Sequence, residues 1–257
     1  MTEVTHPASW QRIWRENRMY FITFFILWLI GFGIYLGIAQ GDDILFFNRR
    51  RTGFGDFFFR YGTQMGEEIA YIAVGMILIF YSYRHLIMIP FVGLAVTLVS
   101  ALMKSIFSHP RPFRWFQENG LDGLIKTIEG VSINMGANSF PSGHTMSAFA
   151  LYTFLALCVP RKRVNSVILL ALPVMVGISR IYLIKHFLKD VLLGALVGLM
   201  IGVLIYRLQY VLFKYPHSWM DNSLTIRPRT QIEEVIEEVE TTTKKEKEEA
   251  VKPESEK

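Results

Sequence analysis

Three short stretches of the chain hold side chains whose types and spacing suit work on a phosphate group. In "SRIYLIKHFLKD", residues 179 to 190, His186 and Asp190 are four apart, so on a helix they share a face and the carboxylate can hold one imidazole N–H. That leaves the other ring nitrogen as a nucleophile or base, with Arg180 nearby as a fixed cation. In "PSGH", residues 141 to 144, Pro141 suits a first helical turn, with Ser142, Gly143 and His144 following. The free N–H groups of such a turn and the positive end of the helix dipole attract an anion, and Gly143 lets an oxyanion approach the backbone. In "KSIFSHPRP", Pro110 and Pro112 end a helix and leave Lys104 near its last turn and Arg111 just beyond it. Each stretch alone has a plainer reading: a snorkelling lysine, a helix cap beside an interfacial histidine, a casual ion pair.

The elements that must position these residues are membrane spans. Hydrophobic residues make up 51% of the 257 and mean hydropathy is +0.30. The apolar residues cluster in blocks at 19–39, 86–107, 141–159, 164–184 and 187–213, each near the ~20 residues that a bilayer requires. A shorter block at 69–83 makes six, and the aromatic stretch "TGFGDFFFRYGTQMGEE" before it is read as a possible extension of that helix. The fold class expected is an all-α polytopic bundle of six transmembrane helices. The organisation expected is an N-terminal cytoplasmic segment (1–18), the membrane domain (19–220) and a charged, disordered cytoplasmic tail (221–257). Six spans place the connection between the third and fourth and that between the fifth and sixth on one face of the membrane, so the three stretches meet. Lys104, Arg111 and Arg180, a helix N-terminus and two histidines then describe phosphoryl transfer without a metal. Cations neutralise the equatorial oxygens, one histidine attacks in line and the other protonates the leaving oxygen.

Charge and cysteine content narrow the alternatives. Of a formal net charge of +5, residues 226–257 hold 7 basic and 10 acidic residues, leaving about +8 on the rest, as suits an anionic lipid or phosphate partner. The basic connections blur the positive-inside rule, as a binding site for an anion would. Arg12, Arg15 and Arg18 precede the first span without a small-residue cleavage site, so it reads as a retained span. The single Cys158 lies in an apolar run and supports no disulfide or cysteine metal site. The tail contains "TTTKKEKEEA" and "QIEEVIEEVE", the second with the apolar spacing of a short amphipathic helix.

Read together as K-x6-R-P, PSGH and S-R-x5-H-x3-D, the three stretches resemble the signature of the type 2 phosphatidic acid phosphatase family, which shares its site with vanadium-dependent haloperoxidases. The resemblance covers about residues 20–213 and every part of the pattern is present. It implies that His186 is the nucleophile that forms a phosphohistidine, that Asp190 orients it, and that His144 protonates the leaving group. Lys104, Arg111, Arg180, Ser142 and Gly143 are similar to the family's phosphate-binding positions. No cofactor, metal or nucleic acid is implied. The partner implied is a membrane lipid phosphate, met at the extracytoplasmic face of a bacterial inner membrane.

Bacterial relatives in this family act on undecaprenyl diphosphate, phosphatidylglycerophosphate or the phosphates of lipid A, and the motifs read only the phosphoryl group. A phosphotransferase using the same phosphohistidine, a haloperoxidase and a non-enzymatic binder of anionic lipid are the competing classes; six spans weigh against the second. His109, Arg114, Lys126, Lys185 and Lys189 lie outside the pattern, as headgroup contacts or as interfacial charges. The connection 113–140, with Phe113, Trp115 and Phe116 suited to the membrane interface, is the expected selector of substrate.

Overall fold

The computed structural model describes residues 9–159, 162–213 and 219–224. Among them there is no strand, and nine α-helices follow one another: α1 Trp10–Gly37, α2 Asp42–Asn48, α3 Gly53–Gly62, α4 Glu68–Leu78, α5 Tyr83–Ile106, α6 Pro112–Glu118, α7 Gly143–Cys158, α8 Lys162–Tyr182 and α9 Leu188–Leu212. Four are long and apolar enough to cross a membrane, namely Trp10–Gly37, Tyr83–Ile106, Asn165–Tyr182 and Leu188–Leu212; α4 and α7 are apolar but shorter. The apolar segments outside the core are exposed as lipid-facing surface should be: Leu29, Leu98 and Leu102 stand about 60% exposed.

Several boundaries differ from the hydropathy blocks. The first helix starts at Trp10 because Ser9 caps it, its hydroxyl accepting from the Arg12 N–H at 3.4 Å; hydropathy sees only the apolar part. A break at Asn17, whose side chain donates to the Ile13 carbonyl at 2.9 Å, separates the polar opening turns from the apolar run. The aromatic stretch does not extend the second span. It forms a separate helix, α3, ended by the single turn Thr63–Gly66 before α4 begins. With 11 residues α4 is about 16 Å long, short of a full hydrocarbon thickness. The expected tail from 225 onward, "QIEEVIEEVE" included, lies outside the described residues. Its expected start does not: Asp221 pairs with the buried Arg84 at 2.6 Å, and the Tyr83 N–H donates to the Asn222 carbonyl at 2.9 Å. Arg84 further donates to the carbonyls of Gln209 and Phe213, so this cation serves as a tie at one end of the bundle.

The centre of the bundle is α7, buried along nearly its whole length. It can be buried on all sides because α9 approaches it through a ridge of small residues, Gly194, Gly198 and Gly202, four apart. A β-carbon at Gly194 would stand 2.7 Å from the Ser142 carbonyl, and one at Gly202 2.6 Å from that of Ala150, so only glycine permits the two backbones to come this close. Gly198 likewise lies against the backbone of Met146 and Ala150. A polar pair inside this packing, Tyr20 with Thr153 at 2.9 Å, ties α1 to the same helix. Replacing Gly198 by leucine is expected to cost about 1–3 kcal/mol or more through overpacking. A fall of several degrees in melting temperature in detergent checks this, with Gly33→Leu, whose surroundings are open, as the unchanged control.

Candidate active site

The glycine ridge fixes the register at the end where α7 and α9 begin. Ser142 is the N-cap of α7, not part of its first turn, and Pro141 precedes it. The Ser142 N–H donates to the Asp190 carbonyl at 3.0 Å, while its buried hydroxyl bonds the Thr145 hydroxyl at 2.8 Å. Gly143 and His144 are therefore the first two helical residues, whose N–H groups have no acceptor within the helix. Gly143 faces α5: a β-carbon there would lie 3.4 Å from Lys104 Nζ and 3.3 Å from Ser100 Oγ.

His186 and Asp190 do not share a helix face as their spacing predicts. Helix α8 ends at Tyr182, and Ile184 takes a left-handed conformation (φ 56°), unusual for a β-branched residue and a point of local strain in the turn that carries His186. His186 precedes Phe187, the N-cap of α9, and Asp190 is the third helical residue, its Oδ2 accepting the Phe187 N–H at 3.0 Å. The two still meet: His186 Nδ1 is 3.4 Å from Asp190 Oδ2. Ser139 stands at the same carboxylate, donating from its hydroxyl to Oδ2 at 2.5 Å and lying 3.5 Å from His186 Nδ1. Both members of the His–Asp pair are essentially buried. With Nδ1 turned to the carboxylate, Nε2 is the nitrogen left for chemistry.

The three cations converge here. Arg180 is buried and donates from Nη1 to Thr63 Oγ1 at 2.7 Å, while its Nε has no hydrogen-bond partner among the described residues, a buried donor still to be used. Arg111, also buried, donates from Nε to Asn138 Oδ1 at 2.9 Å. His144 stands within electrostatic reach of Arg180, His186, Lys104 and Arg111 together. Every residue named from the three stretches is thus gathered at one end of the bundle.

Other site residues carried no motif. Glu67, just before α4, holds His144 Nε2 at 2.9 Å. It arrives there because Gly66 packs against the His144 carbonyl, where a β-carbon would stand 2.8 Å away. Asp43 of α2 accepts the Leu188 N–H at 2.5 Å, so two carboxylates, Asp43 and Asp190, cap the start of α9. Burial raises the Asp43 pKa above the ordinary carboxylate value, opposed by that N–H. A glycine beside a glutamate is the only sequence trace of the first of these.

The connection 113–140 begins with α6 and then runs without regular structure save one turn at Asp122–Leu124. It is bound down by Asn48, which exchanges two hydrogen bonds with the Lys126 backbone at 2.8 and 2.9 Å, and by Arg51, which donates to the Thr127 carbonyl at 3.0 Å. Its aromatics pack against the protein: Phe116 is fully buried with Ile44 of α2, and Trp115 meets Phe187 edge-on at 5.9 Å. The five basic residues outside the pattern are mostly engaged locally. Lys185 donates to the Ser132 carbonyl and hydroxyl, Arg114 pairs with Glu118 at 2.6 Å, Lys189 reaches Gln40 at 3.4 Å, and the His109 carbonyl accepts the Ser139 N–H at 3.0 Å. Lys126 enters through its backbone and its side chain is exposed.

From His144, Gly143 and Lys104 a cleft of about 870 Å³ opens between α4 and α5, passing Tyr71 and Ile72 to Gly93 and Val96. A second apolar groove of about 650 Å³ shares Tyr71, Ile72 and Gly93 with it and continues to Ile79 and Leu86. The floor is apolar, the sides are exposed apolar helix faces, and only the inner end is charged.

Residues 70–214 match the model of the PAP2 superfamily, and the chain belongs to that superfamily. The fold is similar to the crystal structure of LpxE from Aquifex aeolicus, at 24% identity over 63% of this chain and 91% of that one, with a TM-score of 0.53. It is also similar to the first transmembrane PAP2-type phosphatidylglycerolphosphate phosphatase from Bacillus subtilis, at 24% identity over 76% and 98% of the two chains and a TM-score of 0.54. Comparison with curated protein sequences finds no match.

Burial, only partly opposed by the Asp190 hydrogen bond, pushes the His186 pKa down to about 4, with Arg180 and Arg111 adding to the fall. The ring is neutral at neutral pH. Because the folded value lies below the unfolded value near 6.5, the native state binds fewer protons between them, and stability falls as pH drops from about 6.5 towards 4. A titration of ¹⁵N-labelled histidine in detergent is expected to show an imidazole signal that is absent from His186→Gln and that stays neutral down to about pH 5. A midpoint near 6.5 for that residue contradicts the burial.

Proposed function

We propose that the protein is an integral-membrane lipid phosphatase that hydrolyses a phosphomonoester or diphosphate on a membrane lipid through a phosphohistidine, without a metal. The observation that carries this reading is the meeting of a carboxylate-held histidine, a second histidine and three cations at one end of the bundle, where His144 and Lys104 also line a cleft between apolar helix faces. A lipid can enter sideways between α4 and α5 with its chains in the apolar groove and its phosphate at the inner end.

In the proposed reaction Arg111, Arg180 and Lys104 neutralise the non-bridging oxygens, and the N–H groups of Gly143 and His144 assist at the helix start. Ser142 contributes by holding that turn on Asp190. His186 Nε2 attacks phosphorus as the bond to the lipid oxygen breaks, and His144 gives that oxygen a proton. Asp190, with Ser139, holds the Nδ1–H and stabilises the charge that develops on the ring. Water, deprotonated by His144, then breaks the P–N bond and releases inorganic phosphate.

We further read α1, α4, α5, α7, α8 and α9 as six spans in a bacterial inner membrane, with the site at the extracytoplasmic face. Supporting this count, the C-terminal ends of α5 and α8 and the N-terminal ends of α4, α7 and α9 all reach the site, as alternating directions require. The shortness of α7 follows from its being wrapped by other helices, so its ends need not meet both bilayer surfaces.

His186→Ala is expected to abolish phosphate release from detergent-solubilised lipid phosphates while the protein remains folded. His144→Ala is expected to lower kcat about 10²–10⁴-fold, and less for an aryl phosphate whose leaving group needs no proton. Vanadate, which mimics a five-coordinate phosphorus, inhibits, and EDTA does not. Turnover by His186→Ala at the native rate, or strict dependence on an added divalent ion, contradicts the mechanism.

A further inference from the structure

The substrate classes left open above differ in one chemical respect, the charge of the leaving group. Transfer from a monoester releases an uncharged alcohol, whereas transfer from a diphosphate releases a lipid phosphate. In-line attack by His186 puts that group on the far side of phosphorus, beside His144, because His144 supplies its proton. What surrounds His144 on that side therefore decides which leaving group is tolerated.

Two carboxylates stand there. Glu67 Oε1 lies 2.9 Å from His144 Nε2 and its side chain is about 40% exposed, open to the cleft that it lines. Glu68 is the next residue, begins α4 and lines the same cleft. The neighbouring uncharged polar groups are the Tyr71 hydroxyl and Ser147, bonded to each other at 3.1 Å. The only cation lining this cleft among the described residues is Lys104, which stands at Gly143, on the side of the transferred phosphoryl group. Arg180 feels Glu67 electrostatically but is buried, with Nη1 turned to Thr63. The site thus changes sign along the reaction axis: cations around the phosphoryl group that is transferred, carboxylates around the group that departs.

We infer that Glu67 and Glu68 form a leaving-group subsite that selects lipid phosphomonoesters with an uncharged, hydroxyl-bearing alcohol and disfavours lipid diphosphates. An alcohol hydroxyl donates to a carboxylate at this position, while a departing phosphate meets like charge in a partly desolvated cleft. In the favoured reaction the P–O bond to the alcohol breaks, the P–N bond to His186 forms, and the alcohol leaves neutral with the proton from His144. This selectivity rests on the phosphatase reading, and specifies its substrate class.

The test compares farnesyl monophosphate with farnesyl diphosphate in detergent, a pair with one lipid chain and different leaving-group charge. The readout is the ratio of kcat/KM for diphosphate over monophosphate, so any loss of rate common to both lipids cancels. Glu67→Gln is expected to raise the ratio about fivefold or more, and Glu68→Gln, which does not touch His144, to raise it by a smaller factor; higher ionic strength raises it in the native protein. A ratio unmoved in both variants, with His186→Ala silent on both lipids, overturns this inference and leaves the phosphatase reading standing. Failure of the native protein to release phosphate from either lipid overturns this inference, and failure on phosphatidylglycerophosphate and lipid A as well overturns the phosphatase reading.

Discussion

The close approach of α9 to α7 is the constraint on which the site depends. Lipid offers no hydrophobic drive between helices, so packing at backbone distance, with Gly194, Gly198 and Gly202 against the carbonyls of α7, supplies the contact. Its consequence is registration: the two helices begin side by side, and the Ser142 N–H closes on the Asp190 carbonyl. From that one tie the PSGH turn and the His186 turn acquire a fixed separation. A slip of one residue between α7 and α9 would part His186 from the start of α7.

A second constraint is electrostatic. Gathering Arg111, Arg180 and Lys104 in a partly buried space is unfavourable without an anion, and the fold meets it with carboxylates at fixed points. Asp190 lies within electrostatic reach of Arg111 and Glu67 within that of Arg180, while Asp43 accepts the Leu188 N–H at the start of α9. The same principle acts at the far end of α5, where the buried Arg84 is satisfied by Asp221 and two carbonyls. What distinguishes the site end is that Arg180 keeps a buried Nε donor without a partner among the described residues, where Arg84 spends its donors structurally.

Much of this was legible in the sequence, and the parts that were not share a cause. The three motifs name residues that the fold gathers at one end, because each sits at a helix end and helix ends are written locally in proline, serine and glycine. The geometry of His186 and Asp190 was not legible, since a four-residue spacing implies a shared helix face and nothing announces that Ile184 takes a left-handed turn. Glu67, Ser139 and Asp43 were missed because their roles come from tertiary contact; Glu67 is 77 residues from His144. The Gly194, Gly198, Gly202 spacing was a readable signal for the α7–α9 contact, though it does not say which helix it meets. Hydropathy located the apolar helices and misjudged their ends, since it cannot see that α1 continues through polar turns or that α3 breaks from α4.

The central claim is that His186 takes the phosphoryl group covalently, and chemical trapping tests it most directly. After brief mixing with a ³²P-labelled lipid phosphate and denaturation in alkali, the account predicts label bound to protein that survives alkali, is released by acid and maps to the peptide containing His186. Label should persist longer in His144→Ala, where water is not activated, and be absent from His186→Ala. Phosphate release by native protein with no trapped label in either background, or with label on another residue, would contradict it.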